Sequence, residues 1–369
     1  MRSLKVAFIA TSGLWYGGTE KCTQKQAIAL VESGHSVDYY YTPFTKYSNG
    51  NVHPGLDVNT RLSVESAGVK TIPVRCSSVD AFDPLKAWED TDLFDKFDPS
   101  RYDIVIGNHK GEPMWPYSEI SGPKLIEVVH GTDFITGASR YSHGYVLITS
   151  YQSPMWQRAG GDMKKSVVIP QEVYVEEPLT DLDRNYWSLP TDKFIFGMHQ
   201  GARAGLHTGI VLESYKRIES DNSFFVMLGG DPEYSNQAKS LGIRNFLQIP
   251  PVSSPAEISS FLSCIDVYAH GRFDGEVSSS AIIEAMSRSL PIISHPSAFN
   301  NGHLEQLRNV GIVAVSVDEY THAMAFVKNN ESLRNEMKRR SREKYESFYE
   351  PSLCKRLFVE FVENTAGGM

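Results

Sequence analysis

HGRFDGEVSSSAIIEAMSRSLPIIS (270–294) is the stretch that decides the fold. A strand ends near His270, and a short loop holds Gly271 and Gly275. A helix is then predicted from Ser278, with Ile282, Ile283 and Met286 turned toward a sheet, and LPIIS (290–294) reads as the next strand. Strand, helix and strand in this order are the unit of a parallel sheet. The helix start leaves backbone N–H groups open from Val277 to Ser280, a place suited to an anion, and Ser278, Ser279 and Ser280 add small hydroxyl donors. Glu276 and Glu284 stand beside it with seven residues between them. Two carboxylates at an anion site repel the anion unless they face other groups, and sugar hydroxyls are the obvious ones.

The same rhythm runs outward in both directions. Toward the N-terminus, apolar runs at 4–10, 37–41, 69–74, 102–107, 124–130, 145–150 and 166–170 read as buried strands, with a helix clearest over 20–33. In the second half, strands are expected at 194–199, 223–230, 245–250, 265–270, 290–294 and 311–315, with helices near 206–219, 255–263, 278–288 and 318–329. A polar, acidic segment, 176–193, carries two prolines and no periodicity, and reads as a linker. The expected fold class is α/β, with two facing Rossmann-like doubly wound domains whose ligands sit beyond the strand ends, in the cleft between them. The first spans 1–175, the second spans 194–349, and the tail 350–369 returns to the first.

Composition narrows the function. The chain has 369 residues, 41% hydrophobic and 22% charged, which fits packed domains. Its 36 Lys and Arg against 44 Asp and Glu give a net charge of −8, and this disfavours nucleic acid as a partner. No run approaches 18 apolar residues, so no transmembrane segment is expected, and the opening MRSLKVAFIATSG is too short an apolar run for a signal peptide. The four cysteines, Cys22, Cys76, Cys264 and Cys354, show no paired spacing, and a reducing, cytoplasmic location is expected. The charged helix after Glu331 reads as a solvated face, with peripheral membrane contact as the alternative.

The paired glutamates, followed by EAM and then LPII, resemble the signature of retaining glycosyltransferases of the GT-B fold, the family 4 or group 1 type. LWYGGTEKCTQKQAIALVESGHSV (14–37) is similar to that family's opening: Gly17 and Gly18 would let backbone approach a ligand, and the helix near Thr19 points its amides there. In VVHGTD (128–133) the resemblance implies that His130 touches the transferred sugar, with His109 a weaker candidate. FIFGMHQGARAGLHTGIVLESYKRI (194–218) corresponds to the segment where the family carries an Arg and, five residues later, a Lys on the diphosphate. Arg203 fits the first, no lysine follows, and His207 or Arg272 are the substitutes. The family also places the nucleobase against backbone that corresponds to Gln248, Ile249 and Pro250. Glu276 would hold sugar hydroxyls and Glu284 the ribose.

The resemblance implies a metal-independent hexosyltransferase that moves a sugar from a nucleotide-diphosphate sugar to a glycan, lipid-linked or protein-linked acceptor, with no cofactor. Departure of the nucleotide needs fixed donors around phosphate more than a strong base. Asp90 and Asp92 form a short D-x-D pattern, but in a polar helix or loop rather than at a strand end, so no bound metal is expected. The acceptor would meet loops 43–68 and 109–122, where Trp115 and Tyr117 are candidates to stack on a sugar. Two rivals share the fold: a noncatalytic sugar-nucleotide-binding subunit and a sugar-nucleotide epimerase or hydrolase.

Overall fold

The computed structural model describes residues 2–10, 14, 18–43, 56–75, 91–108, 119–132, 142–173, 175–201 and 204–368. Gly17, Asp90, His109, Trp115, Tyr117 and Arg203 lie outside the described residues. The chain divides into two compact units, Met1–Glu172 with Ser352–Met369, and Val173–Pro351.

The first unit is a seven-stranded sheet: β1 (Lys5–Ala10), β2 (Ser36–Tyr41), β3 (Lys70–Pro73), β4 (Ile104–Gly107), β5 (Lys124–Val129), β6 (Gly144–Leu147) and β7 (Ser166–Val168). Their order is β3-β2-β1-β4-β5-β6-β7, and each neighbouring pair is parallel. Parallel strands carry cover on both faces, which is why Val6, Ala7, Phe8 and Ile9 of β1 are all fully buried. Before the chain leaves this unit, its described helices are α1 (Gly18–Glu32), α2 (Val58–Ser66), α3 (Leu93–Lys96) and α4 (Gln152–Arg158).

The second unit repeats the plan with β8 (Phe194–Gln200), β9 (Ser223–Gly229), β10 (Phe246–Ile249), β11 (Val267–Ala269), β13 (Ile292–Ser294) and β15 (Gly311–Val313), while β12 (Gly275–Glu276) and β14 (Asn300–Asn301) form a separate ribbon. The main order is β10-β9-β8-β11-β13-β15, again parallel. The order reverses between β8 and β11, so the loops after these two strands diverge and leave a crevice at their carboxyl ends. Around the sheet lie α5 (Ile210–Ile218), α6 (Glu233–Ser240), α7 (Pro255–Ser263), α8 (Ser280–Ser287), α9 (Gly302–Leu307), α10 (Val317–Asn329) and α11 (Glu331–Lys344). One π-turn (Tyr345–Tyr349) follows α11, and α12 (Pro351–Gly367) carries the chain back into the first unit.

The segment expected to link the domains, 176–193, is instead part of the second unit's core. Leu182, Trp187 and Leu189 are buried in it. Arg184 ties the segment down: its Nε donates to the Cys264 carbonyl at 2.9 Å, Nη1 to the Lys193 carbonyl at 3.0 Å, and Nη2 meets Asp266 at 3.0 Å. Three apolar side chains and one forked cation suffice to pack a stretch whose average composition is polar. The charged helix after Glu331 pairs its own residues, Arg339 with Glu336 and Glu343 and Arg342 with Glu346, as a solvated face does.

Candidate functional site

The crevice between β8 and β11 collects the charged and polar residues of the second unit. His199 lies near the carboxyl end of β8 and His270 is the first residue past β11. Each meets one of the two glutamates. His199 Nε2 stands 2.6 Å from Glu284 Oε2, and His270 Nε2 stands 3.0 Å from Glu276 Oε2. Tyr268 joins the two sides, since its hydroxyl donates to the His199 carbonyl at 3.1 Å.

Glu276 is the most constrained of these groups. Its second oxygen accepts from Arg272 Nη1 at 3.0 Å, and its amide donates to His303 Nδ1 at 3.3 Å. Burial alone would raise its pKa, but the bond and charge of His270 and the charge of Arg272 outweigh it and hold the carboxyl below its ordinary value. Two glycines let the loop close this tightly. At Gly275 (φ +58°) a Cβ would lie 1.8 Å from the Asn300 carbonyl oxygen, and at Gly302 it would lie 1.8 Å from that of Val277.

Arg272, a proposed stand-in for the absent lysine, is largely spent inside the protein. Its Nε and Nη2 fork onto Asp274 at 2.6 and 3.1 Å, besides the contact with Glu276. Burial would lower its pKa, and the bond to Asp274 with the charges of Glu276 and Asp274 turns the shift upward. His207, the other stand-in, sets Nε2 2.9 Å from Gln237 Oε1, with its ring edge-on to Tyr234. The loops holding the two candidates touch, Phe273 N donating to the Leu206 carbonyl at 3.0 Å, and from α6 the Tyr234 hydroxyl donates to the Gly271 carbonyl at 3.1 Å. Five residues after Arg203 the chain carries Thr208.

The serine run differs from expectation in one respect. The helix opens two residues later, at Ser280, because Ser279 is its N-cap and its Oγ accepts from Ile282 N at 3.3 Å. The Ser279 amide is not open to a ligand either; it donates to Gln306 Oε1 at 2.8 Å, and Gln306 Nε2 donates to Ser278 Oγ at 3.2 Å. Ser279 is therefore committed to the fold. Gln248 uses its side chain to brace the β9–α6 turn, Nε2 donating to the Gly229 and Asp231 carbonyls at 2.8 and 3.2 Å. Ile249 is half-buried and Pro250 exposed past the end of β10, a strand at the sheet edge.

Three histidines gather around Glu276, and sequence reading had singled out none of them. His270 Nδ1 meets Ser294 Oγ at 2.7 Å, His295 Nδ1 donates to the Pro296 carbonyl at 2.8 Å while its Nε2 accepts from Arg272 N at 3.3 Å, and His303 Nε2 donates to the His295 carbonyl at 3.0 Å. With Glu276 on the remaining nitrogens, every ring nitrogen of the three is engaged. Burial lowers the pKa of His295 to about 4 and that of His303 below its ordinary value. Among the described residues no group of three or more His, Cys, Asp or Glu is arranged to hold a metal ion. Asp92 is engaged too, by Arg75 N at 2.7 Å and Lys96 Nζ at 2.8 Å.

In the first unit, His130 is the first residue past β5, and Gly18 opens α1. Gln152 Nε2 donates to the carbonyls on either side of His130, those of Val129 and Gly131, at 2.9 and 2.6 Å. The ring itself has a buried Nε2 with no hydrogen-bond partner among the described residues, and burial lowers its pKa to about 4.

Residues 184–344 match the family described as glycosyl transferases group 1. No curated protein sequence matches the chain. Several solved structures share its fold. HepE of Anabaena, in complex with UDP and glucose, is 14% identical with a TM-score of 0.75, over 98% of this chain and 100% of that one. Sucrose-phosphate synthase from Thermosynechococcus elongatus is 12% identical with a TM-score of 0.76, over 100% of both chains. A glycosyltransferase from Rickettsia africae is 13% identical with a TM-score of 0.73, over 98% and 99%. The fold is GT-B. No described helix is long and apolar enough to cross a membrane.

Proposed function

With residues 184–344 recognised as group 1 glycosyl transferase sequence on a GT-B fold, we propose that this chain is a retaining hexosyltransferase that draws on a nucleotide-diphosphate sugar and needs no metal. The carrying observation is the placement of Glu276 and Glu284 at the β8/β11 crevice, one on the β12/β14 ribbon and one on α8, each fixed by a histidine. Glu276 accepts hydroxyls of the donor sugar and Glu284 those of the ribose. Arg203, in the segment that resembles the family's diphosphate-binding stretch, contributes charge to the diphosphate, with the backbone near Ser278 at the start of α8. The bond from the anomeric carbon to phosphate oxygen breaks, the acceptor oxygen bonds to that carbon, and the acceptor's proton leaves for the phosphate side. Fixed donors stabilise the departing diphosphate without reorganising at the moment of reaction.

UDP-glucose is the first donor to test, because HepE of Anabaena has been solved with it. The full chain, given UDP-glucose, GDP-mannose or ADP-glucose and a panel of glycan and lipid-linked acceptors, should release the nucleoside diphosphate and yield a product of retained anomeric configuration, read by NMR. Activity should survive a chelator. A product of inverted configuration ends the retaining assignment, and loss of activity on chelation ends the metal-free one.

One observation favours a second reading, a sugar-nucleotide-binding subunit without turnover. Thr208 stands where the family resemblance leads one to expect a phosphate-binding lysine, and Arg272 is spent on Asp274 and Glu276. Tight donor binding by calorimetry with no transfer to any acceptor would select that reading.

A further inference from the structure

Both glutamates at the crevice are gripped from the sheet. His199, from the strand on one side of the point where the order reverses, sits against Glu284; His270, from the strand on the other side, sits against Glu276. We propose that His199 and His270 are positioning residues, each holding one carboxylate oxygen so that the carboxylate is aimed at donor hydroxyls before the donor arrives. The inference rests on the donor reading above.

Three features support it beyond proximity. The first is the tautomer. His199 Nδ1 is buried with no hydrogen-bond partner among the described residues. A neutral ring there carries its proton on Nε2, toward Glu284, because a proton on Nδ1 would be buried without an acceptor. The second is support behind the ring. His270 Nδ1 lies 2.7 Å from the Oγ of Ser294, a fully buried residue, so the hydroxyl fills that nitrogen and leaves Nε2–H for Glu276. The third is rigidity: the Tyr268 hydroxyl bonds the His199 carbonyl, and the Tyr268 ring packs edge-on to His199 and stacks beside His270. A carboxylate on a helix or loop otherwise samples several rotamers, and pre-organising it lowers the ordering cost of binding.

The grip differs between the two. Glu276 is held on both oxygens, by His270 and Arg272, whereas the hold on Glu284 that the structure gives is His199. Loss of His199 should therefore be felt in nucleotide binding, and loss of His270 in use of the sugar.

The test uses the full chain with UDP, GDP and ADP as probes in calorimetry. For the nucleotide that binds, His199→Leu should weaken affinity about tenfold or more, the scale of a lost hydrogen bond to a charged group. His199→Gln should stay within about threefold of the parent, because its Nε2–H₂ can take the place of the imidazole Nε2–H. His270→Leu should raise the KM for the sugar nucleotide much more than the Kd of the nucleoside diphosphate, and His270→Gln should restore it. Leucine at 199 binding as tightly as histidine, or glutamine failing as badly as leucine, overturns the proposal while the donor reading stands. If none of the three nucleotides binds the parent chain, the donor reading falls and takes this one with it. In the ligand-free protein, long-range ¹⁵N–¹H couplings should report His199 with its proton on Nε2; a proton on Nδ1 would overturn the positioning role whatever binds.

Discussion

His130 and His270 each stand one residue past a parallel strand, one in each unit, and their surroundings could hardly differ more. His270 has a partner on each nitrogen, Ser294 and Glu276. His130 has its backbone clamped by Gln152 while its buried Nε2 meets no partner among the described residues. The same residue at the same kind of strand end is thus part of a charge network in one unit and a neutral, desolvated ring in the other. A strand's carboxyl end supplies a place; the neighbours supply the chemistry.

The sharpest way to break this contrast is to remove the centre of the network. Glu276→Ala leaves His270 and one arm of Arg272 buried without their acceptor, which should cost the second unit about 3 kcal/mol in denaturant unfolding. Under the proposed function it should also lower transfer by about a hundredfold, as loss of a group aimed at the reacting sugar does. Full activity in that variant would remove Glu276 from the sugar site.

The lone histidine makes the opposite prediction, one about acid. Burial depresses the folded His130 ring from 6.5 to about 4. Between those values the unfolded chain binds the proton that the folded ring refuses, so stability falls as the pH falls. Going from pH 7 to pH 5 should cost the first unit about 2 kcal/mol through this residue, and His130→Phe should abolish that share. Calorimetric melts at the two pH values check it; an equal acid loss in the variant would mean that the ring is not desolvated.

The smallest effect concerns the segment 176–193. Arg184→Ala removes the fork that fastens it, and should lower the second unit's stability by about 1 kcal/mol with the first unit's unfolding unchanged. No change at all would mean that the buried Leu182, Trp187 and Leu189 hold the segment without the fork.

Most of the strands could be read in the sequence, because a strand buried on both faces needs an unbroken apolar run, as LKVAFIA and FIFGMH show. Ends were less legible. Ser279 rather than an earlier residue caps α8, because Gln306, from a helix 27 residues on, takes its amide. The linker was misread since three buried residues, Leu182, Trp187 and Leu189, do not alter the average polarity of their segment. His270 carried a usable signal, a strand-end histidine six residues before Glu276. His199 carried none toward Glu284, 85 residues away.

By itself the sequence determined two α/β blocks and a glutamate pair with a helix start between them, since periodicity and local spacing are properties of neighbouring residues. Only the tertiary structure decided what those glutamates touch. Partners brought from β8, β11 and α9 arrive through the sheet order and the chain's crossovers, and no local pattern encodes which distant side chain a parallel sheet will set beside another.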